Sequence, residues 1–199
     1  MLVIMKQMRV IMYKHCTTEA GTLRQRQLEQ NLLELMADQP LDQITIGDIC
    51  ARAGLSRKTF YRYFDSKDGC LHALLDHTIM DGSTYYMPGT GSEDPAMAFC
   101  CRIFEYWQSQ TALLDALERN GQSVQILQRV VRYVLEEEPE YARFLGVGDD
   151  CAIEHIVYAA GGVMALILNW HHDHYQKTAA QMGGILHHMI LPQQTRGGT

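Results

Sequence analysis

Signals for β-structure are nearly missing from this chain of 199 residues. No stretch alternates apolar and polar residues for the length of a strand, which excludes sandwiches and barrels. A disulfide framework is missing too. Cys16, Cys50, Cys70, Cys100, Cys101 and Cys151 are scattered without a Cys-x-x-Cys pair. With no secretory signal, they read as reduced, buried thiols of a cytoplasmic protein. The opening "MLVIMKQMRVIM" is apolar, but Lys6 and Arg9 break it and no small-residue cleavage site follows. Met5, Met8 and Met12 are each possible starts. The longest uninterrupted apolar run, Ile156–Leu168, is short for a bilayer, so no membrane partner is expected. Phosphate loops, nucleophile elbows, H-E-x-x-H and paired carboxylates are all missing. No catalytic residue, cofactor or enzymatic activity is therefore expected.

Net positive charge is absent as well. The chain carries -6 and fails the simplest test for a nucleic-acid binder. The charge is unevenly shared. Residues 1–80 hold 10 Lys+Arg and 9 Asp+Glu, net +1, and residues 81–199 hold 7 and 14, net -7, which together give -6. Any basic face must be local and lies in the first half.

What the sequence does contain is helical periodicity. From Thr22 to Pro40, Leu28, Leu32, Leu35 and Met36 share one face, Thr22 and Gln25 form a candidate capping box, and Pro40 is the stop. Thr45 caps a second helix with Asp48 three residues on, and Gly54 ends it. Ser56 and Ser66 begin a third and a fourth. The loop-like stretch "DGSTYYMPGTG", Asp81–Gly91, is read as a domain boundary. Beyond it come a helix near Pro95, one ended by Gly121, one ending before Pro139, and one over about Asp149–His172. The last starts at Thr178 with Gln181 completing a capping box and reaches about Ile190. The predicted fold is all-α, an N-terminal three-helix helix-turn-helix domain plus a larger C-terminal helical bundle. The predicted division is an N-terminal extension (1–17), the helix-turn-helix (18–66), a linking helix (67–80), the second domain (81–192) and a flexible tail (193–199).

Within "AGLSRKTFYRYFDSK", Arg57, Lys58, Arg62 and Lys67 are interleaved with Phe60, Tyr61, Tyr63 and Phe64. On a helix the interleaving resolves. Phe60 and Phe64 are i,i+4 neighbours and face one way, while Arg57 with Tyr61 and Lys58 with Arg62 form outward rows. Ala53-Gly54-Leu55 before them supplies the tight turn of a helix-turn-helix, whose second helix enters the major groove N-terminus first. Arg57 and Lys58 suit guanine O6/N7. Ser56, Thr45, Thr59 and Tyr61 suit phosphates, and Lys67 joins a cation to free N–H groups at a helix start. Arg62 adds a cation to the same face. The competing reading is a small bundle with a solvated basic helix.

The stretch Ile44–Leu75 resembles the DNA-binding segment of TetR-type transcriptional regulators. The likeness rests on Ile44-Thr45, Asp48-Ile49, Ala53-Gly54-Leu55-Ser56, Thr59-Phe60-Tyr61, Tyr63-Phe64 and Ser66-Lys67, and covers about residues 18–80. It implies a two-domain helical homodimer that binds a palindromic operator, usually represses, and is released by a small molecule held in the C-terminal domain. By position it implies DNA contacts from Thr45, Ser56, Arg57, Lys58, Thr59, Tyr61 and Lys67, with Tyr61 and Lys67 on the backbone. Gly69 and Cys70 depart from the family's bulkier or acidic helix formers, and Gly69 weakens its helix by up to about 1 kcal/mol.

In the second half, "HIVYAAGGVMALILNW" is apolar nearly all round and must be buried on several faces. Two internal glycines cost on the order of 2 kcal/mol, which close backbone approach would offset. Gly161, Gly162, Ala165 and Leu168, with Ala180, Gly184 and Leu186, are the candidate dimer interface. Tight packing within one subunit is the alternative. Candidate pocket residues are Met97, Cys100, Cys101, Phe104, Trp107, Leu113, Leu114, Leu117, Tyr133, Phe144, Tyr158 and Met164. The acidic balance of this half favours a neutral or cationic effector. His171, His172, Asp173 and His174, with His187 and His188, have the residue types of a zinc or nickel site. A polar helix end is the simpler reading, and no metal is expected. A helix-turn-helix protein without an effector remains the rival, and an open apolar cavity would count against it.

Overall fold

The computed structural model describes residues 13–14, 16–86, 93–136 and 152–190. Among these the only extended pairing is one isolated bridge, and everything regular is helical. The chain divides into two compact units, one ending at His77 and one beginning at Thr78.

The first unit is built on α1 (Glu19–Asp38), α2 (Ile46–Ala53), α3 (Arg57–Phe60) and the start of α4 (Lys67–Tyr86). Helix α1 begins earlier than the sequence suggested. Thr18, not Thr22, is its N-cap, accepting from the Gly21 N–H, while Thr22 donates its hydroxyl to the Thr18 carbonyl. Leu28, Leu32 and Met36 are fully buried as their spacing requires, but Leu35 is only half-buried. They meet Ile44, Ile49, Phe60, Phe64, Leu71 and Leu75, all nearly or fully buried, in one core. Glu29 also turns inward, and its carboxylate oxygens lie 3.0 and 2.9 Å from His77 Nδ1. Tyr13 pairs with Phe64 across the isolated bridge, and its hydroxyl donates to Asp76 at 2.8 Å. The end of the stretch read as an extension therefore packs with this unit.

Helix α4 continues to Tyr86, through residues whose composition read as loop. Packing explains the difference. A Cβ at Gly82 would come within 2.7 Å of the Tyr106 ring, so the missing side chain lets the helix lie flat there. Ser83 and Thr84 return their hydroxyls to the Met80 carbonyl, a helix-compatible use of polar side chains.

The second unit adds α5 (Pro95–Ser109), α6 (Thr111–Arg119), α7 (Ser123–Glu136), α8 (Ala152–His172) and α9 (Ala179–Ile190). Asp94 caps α5 ahead of Pro95, accepting from the Met97 N–H at 2.9 Å. Gly121 ends α6 at φ 65°, a left-handed value that favours glycine. Thr178 and Gln181 make the reciprocal capping box of α9, at 2.8 and 3.2 Å. Helix α9 packs along α5 and α8 along α7. A methyl group on Gly183 would fall 2.7 Å from the Cys101 Cα, so α9 and α5 meet backbone to backbone. By length and composition α8 is long and apolar enough to cross a membrane over Ile153–His172. Here Ile156, Met164, Ile167 and Trp170 are buried within the unit.

Cys16, Cys50, Cys70, Cys100 and Cys101 are free thiols. Burial pushes the Cys100 thiol up to about 12 and drives Cys70 well above its usual range, so neither carries thiolate at neutral pH.

Candidate nucleic-acid interface and cavity

The turn between α2 and α3 is fixed by local chemistry. Thr45 and Asp48 cap α2 reciprocally, the Asp48 N–H donating to the Thr45 hydroxyl at 3.2 Å and the Thr45 N–H to Asp48 Oδ2 at 2.8 Å. Gly54 ends α2 at φ 64°, ψ 29°, and the Leu55 N–H closes the motif on the Cys50 carbonyl at 2.9 Å. Ser56 then caps α3, accepting from the Thr59 N–H at 3.1 Å. The regular part of α3 is a single turn that ends at Phe60, short of Phe64. Tighter i→i+3 bonds follow, Arg62 N–H to Thr59 and Tyr63 N–H to Phe60. Phe60 and Phe64 nevertheless share the buried side, ring centroids 5.2 Å apart. Arg57, Lys58, Tyr61 and Arg62 are exposed, Tyr61 by 52%.

Several of the polar groups already have partners. The Thr45 hydroxyl donates to Asp48 Oδ2 at 2.7 Å, and the Ser56 and Thr59 hydroxyls lie 3.0 Å apart. The Lys67 ammonium donates to the Leu41 carbonyl and, at 2.7 Å, to the Ile44 carbonyl, just before the α2 cap. In this structure Lys67 anchors the entry to α2. Gln27 does the same at the other end, donating to the Ala53 carbonyl at 3.0 Å, and Arg52 reaches Glu34 at 3.0 Å. Sequence reading passed over Gln27 because a polar residue on a helix face carries no partner signal. It also passed over Gly47. A Cβ there would meet Arg57 Nη2 at 2.7 Å, so the guanidinium rests on this glycine.

The cap hydrogen bonds from Thr45, helped by the Arg57 charge, hold the Asp48 carboxyl below its usual range. A carboxyl depressed by folding contributes stability above its unfolded value, near 3.8, and loses it as pH falls through the folded value. Thermal melts of wild type and Asp48→Asn should therefore differ at neutral pH and converge in acid, below about pH 4.

The second unit contains a cavity of about 90 Å³. Of the expected pocket residues, Trp107, Tyr133 and Met164 line it. Phe104, Cys100, Leu113, Leu114 and Leu117 are core residues outside its wall, Phe104 packing edge-on against Trp170 at 5.4 Å. Met97 and Cys101 are likewise outside, with Cys101 turned to Gly183. Tyr158 is 79% exposed, on the opposite side of α8. Phe144 lies outside the described residues. Ile79, Ser83 and Tyr86 join the wall unannounced, although their i, i+4, i+7 spacing was there to be read.

The candidate dimer residues divide similarly. Gly162, Ala165 and Ala180 are exposed, and Gly161, Leu168 and Gly184 half-buried. Leu186 is buried in the cavity wall, which corrects its placement on the outer face. A methyl group on Gly162 or Gly184 would meet nothing within 4 Å, and one on Gly161 only Val131 at 4.0 Å. Packing among the described residues does not account for these glycines. Val157, Tyr158, Ile185 and Met189 extend the exposed apolar surface of α8 and α9.

The histidines at the end of α8 pair with α6. His171 Nε2 lies 2.8 Å from Asp115 and its Nδ1 3.3 Å from Glu118, whose other oxygen is 2.6 Å from His172 Nδ1. The hydrogen bond to Glu118 holds the His172 imidazole above its usual range.

The sequence profile described as bacterial regulatory proteins, tetR family, matches residues 32–74. The HTH-type transcriptional regulator EthR of Mycobacterium tuberculosis is 48% identical over 50 residues, 25% of this chain and 22% of its own length. The match thus spans less than a quarter of that relative. A tetR-family regulator from Streptomyces coelicolor superposes with a TM-score of 0.58 at 21% identity, over 85% of this chain and 79% of that one. A putative TetR-family regulator from Syntrophomonas wolfei gives 0.61 at 17%, over 88% and 99%. These structures share the fold across both units. Residues 32–74 are thus similar to the DNA-binding segment of the tetR family of bacterial regulatory proteins, and the fold is the one that the TetR-family structures share.

Proposed function

We propose that the protein is a cytoplasmic transcriptional repressor that binds a palindromic operator as a homodimer and is released by a small molecule in the second unit. The observation that carries this reading is the exposed face of Arg57, Lys58, Tyr61 and Arg62 on a helix-turn-helix in which both ends of α2 and the start of α3 are capped. Arg57 and Lys58, in the first turn of α3, meet base edges, and Tyr61 and Arg62 meet phosphates. Thr45, Ser56 and Thr59 hold the helix starts, and their remaining lone pairs and N–H neighbours face the backbone. Lys67 sets the height of α2 through Leu41 and Ile44 and offers its third hydrogen to a phosphate.

The second copy covers Gly161, Gly162, Ala165, Leu168, Ala180 and Gly184 with the surrounding apolar surface. Glycines open to solvent in a long apolar helix support this, since a partner backbone would use the space. The cavity supports an effector against the rival without one. Sedimentation should give a dimer at micromolar concentration, and Gly162→Leu should shift it towards monomer. A wild-type monomer that still binds a palindrome tightly would overturn the assignment of α8 and α9.

A further inference from the structure

Which ligand the cavity takes is written in its wall, and this inference rests on the effector reading above. Among the described residues the wall holds no charged side chain, no histidine and no amide side chain. A carboxylate or ammonium buried there would lose its hydration with no counter-charge, which effectively excludes ions. One polar feature is the pair formed by Ser83 of α4 and Tyr133 of α7, hydroxyl oxygens 2.8 Å apart. Ser83 Oγ also lies 2.8 Å from the Met80 carbonyl, to which it donates. Serine has one hydroxyl hydrogen, so only one arrangement satisfies both contacts. Ser83 donates to Met80, and Tyr133 donates to Ser83. The hydrogens of both hydroxyls are then committed, and the Tyr133 phenolic oxygen retains a free lone pair. This pair accepts a hydrogen bond and does not give one; the other polar groups of the wall are the Tyr86 hydroxyl and the Trp107 indole N–H.

The geometry points to an uncharged, single-ring-sized apolar effector carrying one O–H or N–H donor, bound by Tyr133. Size agrees with this. At about 90 Å³ the cavity is smaller than the roughly 150 Å³ apolar cavity that admits benzene, so a single ring enters only as wall side chains shift, and nothing larger is expected. Ethers, ketones and esters of the same size lack the donor and leave the Tyr133 lone pair unused. Carboxylates carry a charge with no partner.

Phenol and toluene, which differ by a hydroxyl in place of a methyl group, separate these terms, with benzoate as the charged probe. Calorimetric titration of the full chain should show phenol bound at least as tightly as toluene, although toluene is the more hydrophobic. Benzoate should not bind. In Tyr133→Phe the phenol-to-toluene preference should fall about tenfold, the scale of one lost hydrogen bond to a buried hydroxyl, while toluene binding holds. Toluene or benzoate binding best in wild type, an unchanged preference in Tyr133→Phe, or no binding by any probe to folded protein would each overturn the inference. DNA affinity measured with phenol at saturation is a separate readout. Phenol bound with the predicted preference but without effect on DNA binding would sink the effector reading and leave the ligand class standing.

Discussion

Arg57→Ala lowers affinity for a specific DNA site by one to two orders of magnitude and leaves the melting temperature of the first unit nearly unchanged. The size follows from the loss of a bidentate contact to a base edge, about 1–3 kcal/mol. The small stability effect follows from exposure. Arg57 is exposed, and surface changes away from special features usually stay within about 0.5 kcal/mol. Its side chain rests over Gly47 beside Asp48, where its charge is the lesser of the influences lowering that carboxyl. The variant should therefore also discriminate less between the operator and related sequences. If Arg57 served a phosphate instead, affinity would drop alike on all sequences and the salt slope would lose about one unit. Comparison across a set of single-base operator variants distinguishes the two.

Phe60→Ala costs the first unit about 3–5 kcal/mol, the usual range for removing a fully buried aromatic side chain. Small domains are stable by only about 5–15 kcal/mol, so most of the margin would go. Phe60 has no exposed surface and its ring meets Phe64 at 5.2 Å and Tyr61 at 5.7 Å, so its loss also frees the outer face to tilt. The chain provides a clean separation of signals. Both tryptophans, Trp107 and Trp170, belong to the second unit. In chemical denaturation the far-ultraviolet circular dichroism of Phe60→Ala should gain an early transition, while tryptophan emission keeps its wild-type midpoint. Phe60→Leu should recover more than half the loss. Equal stability of wild type and Phe60→Ala would mean that the aromatic pair is not the anchor described here.

Much of the helix-turn-helix was legible because its determinants are local. Thr45 with Asp48, Gly54 and Ser56, like Thr178 with Gln181 in the second unit, act over three or four residues, and sequence spacing states such contacts directly. Placement that depends on distant partners was not legible. Asp81–Tyr86 has loop composition, yet contacts from Tyr106 and Tyr133, more than 20 residues on, keep it helical. Helix α8 is apolar on every side, so nothing local told that Tyr158 faces out while Met164 faces the cavity. Leu186 and Gly184 are two residues apart on α9 and fall on opposite sides for the same reason. Lys67 read as a free cation, because the carbonyls that hold it lie 23 and 26 residues away.

The central claim is sequence-specific DNA binding by the face that α3 presents. Fluorescence anisotropy of the purified protein with fragments flanking its own gene, taken across a salt series, tests it most directly. The account predicts one palindromic fragment bound well above the rest, with the logarithm of the association constant falling linearly as the logarithm of salt rises. A folded dimer that binds every fragment equally, or none even at low salt, would contradict it.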